Sequence, residues 1–351
     1  MLAPYTGRGP PLNIDSPHQW PAEWETQAAT WIAWPHNRAT WPDNYAPIPD
    51  LFYQLVNAIS DHQPVFILAA EELLSESHLQ ALNGRSNVCC VDIRTNDAWI
   101  RDFGPTFVKR QNDGALVGVC WKYNAWGNKY PPYDLDAAAA TRICIELRCQ
   151  RSMSAIYCEG GALEGNGKGT LLTTSSCLLN PNRNPGWNRK MVSEELRMQL
   201  GVRKIVWVDG GGLQGDDTDG HIDQIARFVK RNIVVAAVSS VENDPNRSGL
   251  LENIRILRSS TTAESDPLQV HTLPTPPPRF VGNVRVPESY CNFLITNKTV
   301  IVPTFRNDRT DAMALETFSE LFPDRTIVPL DAYDLCWGLG AFHCASQQHP
   351  A

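Results

Sequence analysis

The chain has 351 residues, of which 42% are hydrophobic and 20% charged, and its formal net charge at pH 7 is −7. These are the proportions of an ordinary globular protein with ample core, and the acidic balance speaks against a nucleic-acid surface, whose footprint would be basic. The ten cysteines are scattered without a CxxC pair, which disfavours a zinc ribbon or a redox dithiol and suits a reducing compartment. No stretch approaches the roughly 18 apolar residues of a membrane span, and the N-terminus lacks the apolar segment of a signal peptide. A soluble, cytoplasmic protein is the expectation, with no membrane or nucleic-acid partner and its oligomeric state left open.

Residues 1–20, rich in Pro, Gly and polar side chains, are expected to be poorly structured. Leu51 to Ser60 carries apolar residues at helical spacing, and Val65 to Ala69 follows as a strand. Glu71 to Leu82 reads as a helix and Val88 to Ile93 as a strand. Thr106 to Val108 and Leu116 to Val119 flank Gln111-Asn112-Asp113-Gly114, a hairpin signal. Asp134 to Arg148 is helical, Glu164 to Gly169 is a second hairpin turn before Thr170 to Thr174, and Ser193, as N-cap, opens a helix to Leu200. The strand Lys204 to Val208 comes next, then a hairpin of Ile225 to Val229 with Ile233 to Val238. Leu250 to Ser259 is a helix, Leu268 to Leu273 a strand, and Phe293 to Thr296 with Thr299 to Pro303 a fourth hairpin. Ala312 to Leu321 and Thr326 to Pro329 close the series as helix and strand. Hairpin, helix and strand thus recur, and units too small to close a core alone suggest radial repetition about an axis within one domain spanning 1–351. Two separate α/β lobes are the alternative, but strand patterns resume beyond the Pro274 to Pro278 run, which reads as a loop.

The chemistry-bearing residues fall where strands end or hairpins begin. Cys344 follows His343 in a run with Gly338 and Gly340, and Gln347-Gln348 lie just beyond. The local sequence fits a thiol on an exposed turn as well as it fits a buried structural cysteine. Asp216 to Asp223 holds four aspartates and His221 within eight residues. It runs into an apolar strand, so His221 and Asp223, two apart, should share a face. A carboxylate beside an imidazole raises its pKa and orients it. A divalent cation is the lesser reading, because the spacing matches neither an EF-hand loop nor His-Glu-x-x-His. Glu159-Gly160-Gly161 puts a carboxylate where a strand ends in a turn. In Trp99-Ile100-Arg101-Asp102, an acid sits among aromatics, where it is costly unless a cation meets it. Three carboxylates, one imidazole and one thiol suit a planar cationic electrophile.

Together these runs resemble the agmatine deiminase and bacterial-type (Porphyromonas-type) peptidyl-arginine deiminase family of guanidino-group-modifying enzymes. Pro21 to Glu25, Trp34-Pro35, Trp99 to Pro105, Asn124 to Gly127, Gly169 to Thr174, Leu179 to Pro185, Gly215 to Asp223 and His343-Cys344 carry the likeness, which spans about Pro21 to Pro350. The resemblance implies a five-bladed α/β propeller, the pentein fold, with pseudo-fivefold ββαβ repeats. It implies hydrolysis of a guanidinium such as agmatine, or of free or peptidyl arginine, without metal or organic cofactor. Carried over residue by residue, Cys344 is the nucleophile, His221 the general acid/base, Asp102 and Asp223 the guanidinium clamps and Glu159 the partner acid. Trp99 and Asp217 are candidates for the substrate's tail. The chain departs from the agmatine pattern at Gly338-Leu339-Gly340, where that pattern has three glycines, and at Asp219-Gly220-His221, where Asn-Gly-His is commoner.

Overall fold

A parallel strand pair needs a crossover, and in this chain each crossover is a helix. In the computed structural model, which describes residues 16–351, Thr106–Arg110 pairs antiparallel with Leu116–Lys122, and the latter pairs in parallel with Gln150–Tyr157. Helix Asp134–Glu146 makes the crossover. The same unit recurs as Glu164–Gly165, Thr170–Thr173 and Lys204–Trp207 across helix Arg189–Leu200. It recurs as Ala226–Lys230, Ile233–Val238 and Gln269–Pro274 across Arg247–Arg258. A further copy is Leu294–Ile295, Thr299–Thr304 and Thr326–Asp331 across Asp308–Leu321.

One more unit is assembled from both ends of the chain. Ser346–Pro350 runs antiparallel to Gln27–Ala33, which pairs in parallel with Val65–Leu68 across helix Ile48–Ser60. Val88–Val91 extends this sheet, and His18–Gln19 adds an edge to the sheet of Thr106–Arg110. Neither Gln27–Ala33 nor Ser346–Pro350 stands out in the sequence, because neither alternates: the second is wholly polar apart from its proline. Ser346 and Gln347 are buried with partners, Gln347 Nε2 donating to the Pro105 carbonyl at 2.9 Å and Ser346 Oγ to that of Phe342 at 2.7 Å. The strand immediately after Cys344 is thereby fastened at the edge of its sheet, along Gln27–Ala33.

Several expected boundaries shift, among them the start of the last helix, at Asp308 and not Ala312. The helix expected to start at Ser193 begins at Arg189, because Asn188 is the N-cap and accepts from the Met191 N–H at 3.0 Å; Ser193 lies buried inside it. Glu71 to Leu82 is divided into a 3-10 turn, Glu71–Leu73, and helix Glu76–Asn83, because Ser75 caps the second. Of the segment expected to be poorly structured, residues 1–15 lie outside the described residues, and 16–20 contain the short strand His18–Gln19.

The units are tied by a buried ion cluster. The Arg227 guanidinium donates to Glu164 Oε2 and Glu23 Oε2, each at 2.6 Å, and to the Phe293 carbonyl at 2.9 Å, and it lies 4.7 Å over the Phe293 ring. Burial alone would push the Glu23 carboxyl up, but Arg227, His343 and Arg101 hold it below the usual carboxylate range. Arg227→Met keeps apolar volume but strands two buried acids. It should cost about 3–5 kcal/mol of stability, read as a lower urea midpoint. A midpoint equal to wild type would remove this cluster from the account of the fold.

Candidate active site

Ahead of the first strand in each unit the chain makes a tight turn, and each turn contributes to one buried centre. Asp102 lies on Ile100–Phe103, Glu159 at the start of Gly160–Ala162, and His221 and Asp223 on the turn Ile222–Gln224. Asn292 ends Tyr290–Asn292, and Cys344 follows the turn Leu335–Gly338. His221 and Asp223 therefore sit on a 3-10 turn and not on the strand the sequence suggested, yet both face the same centre. Glycine is required where two turns meet. A Cβ on Gly160 would lie 2.0 Å from the Arg101 carbonyl oxygen, and one on Gly161 would lie 2.6 Å from His221 Nδ1 and 2.8 Å from Asp102 Oδ1.

Each carboxylate is held by identifiable donors. Asp102 Oδ1 accepts from the Gly161 N–H and Oδ2 from the Trp126 indole, both at 2.9 Å. The indole is aimed from a stretch with positive φ throughout, 48° at Ala125, 54° at Trp126, 89° at Gly127 and 64° at Asn128. Non-glycine residues rarely adopt that region, and such strain concentrates at functional sites. Arg183 Nε donates to both Glu159 oxygens at 2.8 and 2.9 Å, and its Nη1 donates to Asp219 at 2.5 Å. Asp219 also pairs with Lys129 at 2.9 Å and sits at φ 65°. An acid at this left-handed position serves two cations, which accounts for the departure from Asn-Gly-His. Leu339, at φ 69°, occupies a left-handed position that a third glycine would take without strain.

Asp223 has its two oxygens in different surroundings. Oδ2 accepts from His343 Nδ1 at 2.8 Å and from the Cys344 thiol at 3.4 Å. Oδ1 is buried and has no hydrogen-bond partner among the described residues, and the same holds for both ring nitrogens of His221. His221 Nδ1 lies 3.6 Å from Asp102 Oδ1 and Nε2 lies 3.7 Å from Glu159 Oε2. His343 reaches Glu23 Oε2 through Nε2 at 3.1 Å, so this ring bridges two buried acids.

Burial would push the His221 imidazole down, but the Asp102 carboxylate together with Cys177 and Glu159 carries it well above the ordinary histidine value. These acids favour its protonated form. Burial would also raise Glu159, yet Arg183 and His221 hold it at about 2. Burial lifts Asp102 to about 6. Of the two settings the sequence left open, Cys344 takes the buried one: it is 6% exposed, and burial, with Asp223 and Asp102, raises its thiol well above the ordinary value. The resting nucleophile candidate is a thiol, which a bound cation would help to ionise by neutralising the two acids.

A cavity of about 880 Å³ opens onto this centre, with Trp99, Asp102, Trp126, Asp217 and Cys344 among its walls. Trp99 packs 5.5 Å from the Trp41 ring, and the Asp217 carboxylate receives the Tyr130 hydroxyl. Asn292, Arg183, Trp126 and Glu23 join the site without being among the residues the sequence marks for it. A signal for Asn292 existed: it stands two residues before its strand, as Cys344 does before Ser346. Among the described residues, the ligating atoms close enough to share one metal ion belong to Glu159, Cys177 and His221, within 4.8 Å of one another. Arg183 already pairs with Glu159, and the acids around His221 favour a proton on its ring, both of which compete with a cation here. Asp216, Asp217, Asp219 and Asp223 turn to separate partners: Thr218, Tyr130, Arg183 and His343.

Residues 19–350 match the family model of the Porphyromonas-type peptidyl-arginine deiminases, and the chain belongs to that family. It is 34% identical over 354 residues to the agmatine deiminase of Pseudomonas putida, covering 94% of this chain and 95% of that one. The solved agmatine deiminase of Enterococcus faecalis superposes with a TM-score of 0.86 at 30% identity, over 95% of this chain and 96% of the other. A dimethylarginine dimethylaminohydrolase, at 14% identity and TM-score 0.52, shares the mixed α/β fold over 92% of this chain and 100% of that one.

The charge assignment is directly measurable. In ¹⁵N spectra the His221 ring should stay doubly protonated well above pH 6.5, where an ordinary histidine is half neutral. Asp102→Asn should move its titration to lower pH, because it removes an anion that raises it. A wild-type His221 that is already neutral at pH 7 would contradict the assignment.

Proposed function

We propose that this chain is an agmatine deiminase, which hydrolyses agmatine to N-carbamoylputrescine and ammonia. The observation that carries the reading is the pairing of a buried, unpartnered Asp223 Oδ1 with the Cys344 thiol, which lies 3.4 Å from the other oxygen of the same carboxylate. A buried acceptor without a donor costs about 1–3 kcal/mol. A guanidinium supplies N–H donors and positive charge at that point, and Asp102 offers a second carboxylate to it. The names of the relatives favour agmatine over arginine as the guanidine. We also read the five hairpin–helix–strand units as five blades of a pentein propeller forming one domain, since Gln27–Ala33 and the last strand, Ser346–Pro350, share a sheet. Ten free cysteines fit a cytoplasmic enzyme.

In this scheme the carboxylates hold the guanidinium carbon against the Cys344 sulfur, so that binding energy replaces much of the entropy cost of the encounter. As the guanidinium binds, the Cys344 thiol gives up its proton to solvent; the thiolate adds to that carbon, and the electron pair of the C=N bond moves onto nitrogen. His221, as imidazolium, gives its proton to the leaving nitrogen, and the C–N bond breaks to release ammonia. The group left on sulfur is an S-alkylthiouronium. His221, now neutral, takes a proton from water as the oxygen bonds to carbon. The C–S bond then breaks, the remaining hydroxyl proton passes to solvent as the C=O forms, and the thiolate and the neutral ureido product are returned. Glu159, held ionised by Arg183, stabilises the imidazolium between the two proton transfers.

A panel of agmatine, arginine, arginyl peptides and methylated arginines, assayed for ureido product, tests the substrate. Agmatine should be turned over fastest, and Cys344→Ser should still bind it without turnover. On agmatine, Asp102→Asn and Asp223→Asn should each lose about 30- to 1,000-fold in kcat/KM, as removal of a charge-assisted partner predicts. Faster turnover of arginyl peptides would transfer the assignment to a peptidyl-arginine deiminase, and near-wild-type aspartate variants would overturn the clamp.

A further inference from the structure

Four of the five turns supply residues with a stated part in the scheme; the turn Tyr290–Asn292 supplies none. Its last residue, Asn292, is fully buried, and its Nδ2 lies 3.1 Å from Cys344 Sγ. The amide has only one sensible orientation. Oδ1 accepts from the N–H groups of Ala341 at 3.1 Å and Cys344 at 3.2 Å, so a flipped amide would point its NH₂ at two donors. The Asn292 carbonyl also accepts from the His343 N–H at 3.2 Å. The side chain is thus fixed at one end by the nucleophile's own backbone and presents a donor to its sulfur at the other.

That sulfur meets opposite partners on two sides. Asp223 Oδ2, at 3.4 Å, can accept from a thiol but repels a thiolate. Asn292 Nδ2 can only donate, and a donor gains most from an acceptor that carries full charge. We propose that Asn292 is a further catalytic residue of this site, its amide N–H stabilising the negative charge on the Cys344 sulfur whenever the thiolate forms. The proposal rests on the reading of Cys344 as nucleophile. The amide neither gains nor loses a proton. Its N–H faces the charge before the C–S bond forms and again when that bond breaks. Oδ1 meanwhile sets the direction of the sulfur by holding the 341–344 backbone.

Two substitutions separate these roles. Asn292→Asp keeps an oxygen for the Ala341 and Cys344 N–H groups but replaces the donor, whereas Asn292→Ala removes both. Each is compared with wild type by thermal melting, by kcat and KM on agmatine, and by the pH dependence of Cys344 alkylation with iodoacetamide. The alkylation is followed by mass spectrometry above the pH at which the new carboxyl ionises. In both variants kcat should fall by about 100-fold with KM changed little, as for removal of one preorganised donor. The alkylation midpoint should rise by about one pH unit or more, equal to at least a tenfold loss of thiolate. An Asn292→Asp variant with wild-type kcat and alkylation midpoint would overturn the proposal and leave Asn292 a purely structural support. If the aspartate variant does not fold, the same midpoint read on Asn292→Ala decides. Failure of agmatine to protect wild-type Cys344 from alkylation would instead undo the nucleophile reading on which the proposal rests.

Discussion

Everything in this molecule answers to the cost of burying charge. Asp102, Glu159, Asp223 and Glu23 are each at most 5% exposed, and an isolated ionised carboxylate in such surroundings would neutralise itself. Fixed cations prevent that for some and not for others. Arg183 keeps Glu159 ionised and Arg227 does the same for Glu23, whereas Asp102 has no permanent cation besides His221 and is lifted to about 6. The acids with resident guanidinium partners are spoken for. Those turned towards the thiol, Asp102 and Asp223, retain capacity for a cation that arrives from outside.

The fold is what makes this graded charge pattern attainable. Because each unit begins with a tight turn feeding its first strand, side chains from distant parts of the sequence reach one point on rigid supports. The last unit shares its sheet between Gln27–Ala33 and Ser346–Pro350. Cys344 therefore stands just ahead of a strand that is hydrogen-bonded along its length to Gln27–Ala33. The Arg227 cluster binds Glu23, Glu164 and the Phe293 carbonyl across three such units, so the same ionic arrangement that secures the fold stands behind His343 and Asp223.

Much of this was legible in the sequence where the local pattern is strong. Hairpins such as Ile233–Val238 with its neighbours could be placed because β-branched runs flank polar turns. The Asp216 to Asp223 segment stood out because four acids and a histidine rarely precede an apolar strand. Ser346–Pro350 escaped because a polar strand becomes buriable only through partners such as the Pro105 carbonyl, hundreds of residues away in the chain. The raised thiol of Cys344 escaped for a related reason: its local sequence fits exposure and burial equally, and only tertiary packing brings Asp223 and Asp102 against the sulfur. Asn292 and Arg183 are invisible as chemistry until the units are superimposed in register, since an amide and a guanidinium in loops are ordinary features of any surface.

The account stands or falls on covalent capture at one cysteine. Enzyme quenched with acid during turnover of agmatine and digested should yield the Cys344 peptide heavier by agmatine less ammonia, the mass of the thiouronium. The other nine cysteines should be unmodified, and the adduct should be absent from Cys344→Ser. An adduct on Cys177 or Cys291, or steady turnover by Cys344→Ser, would contradict it.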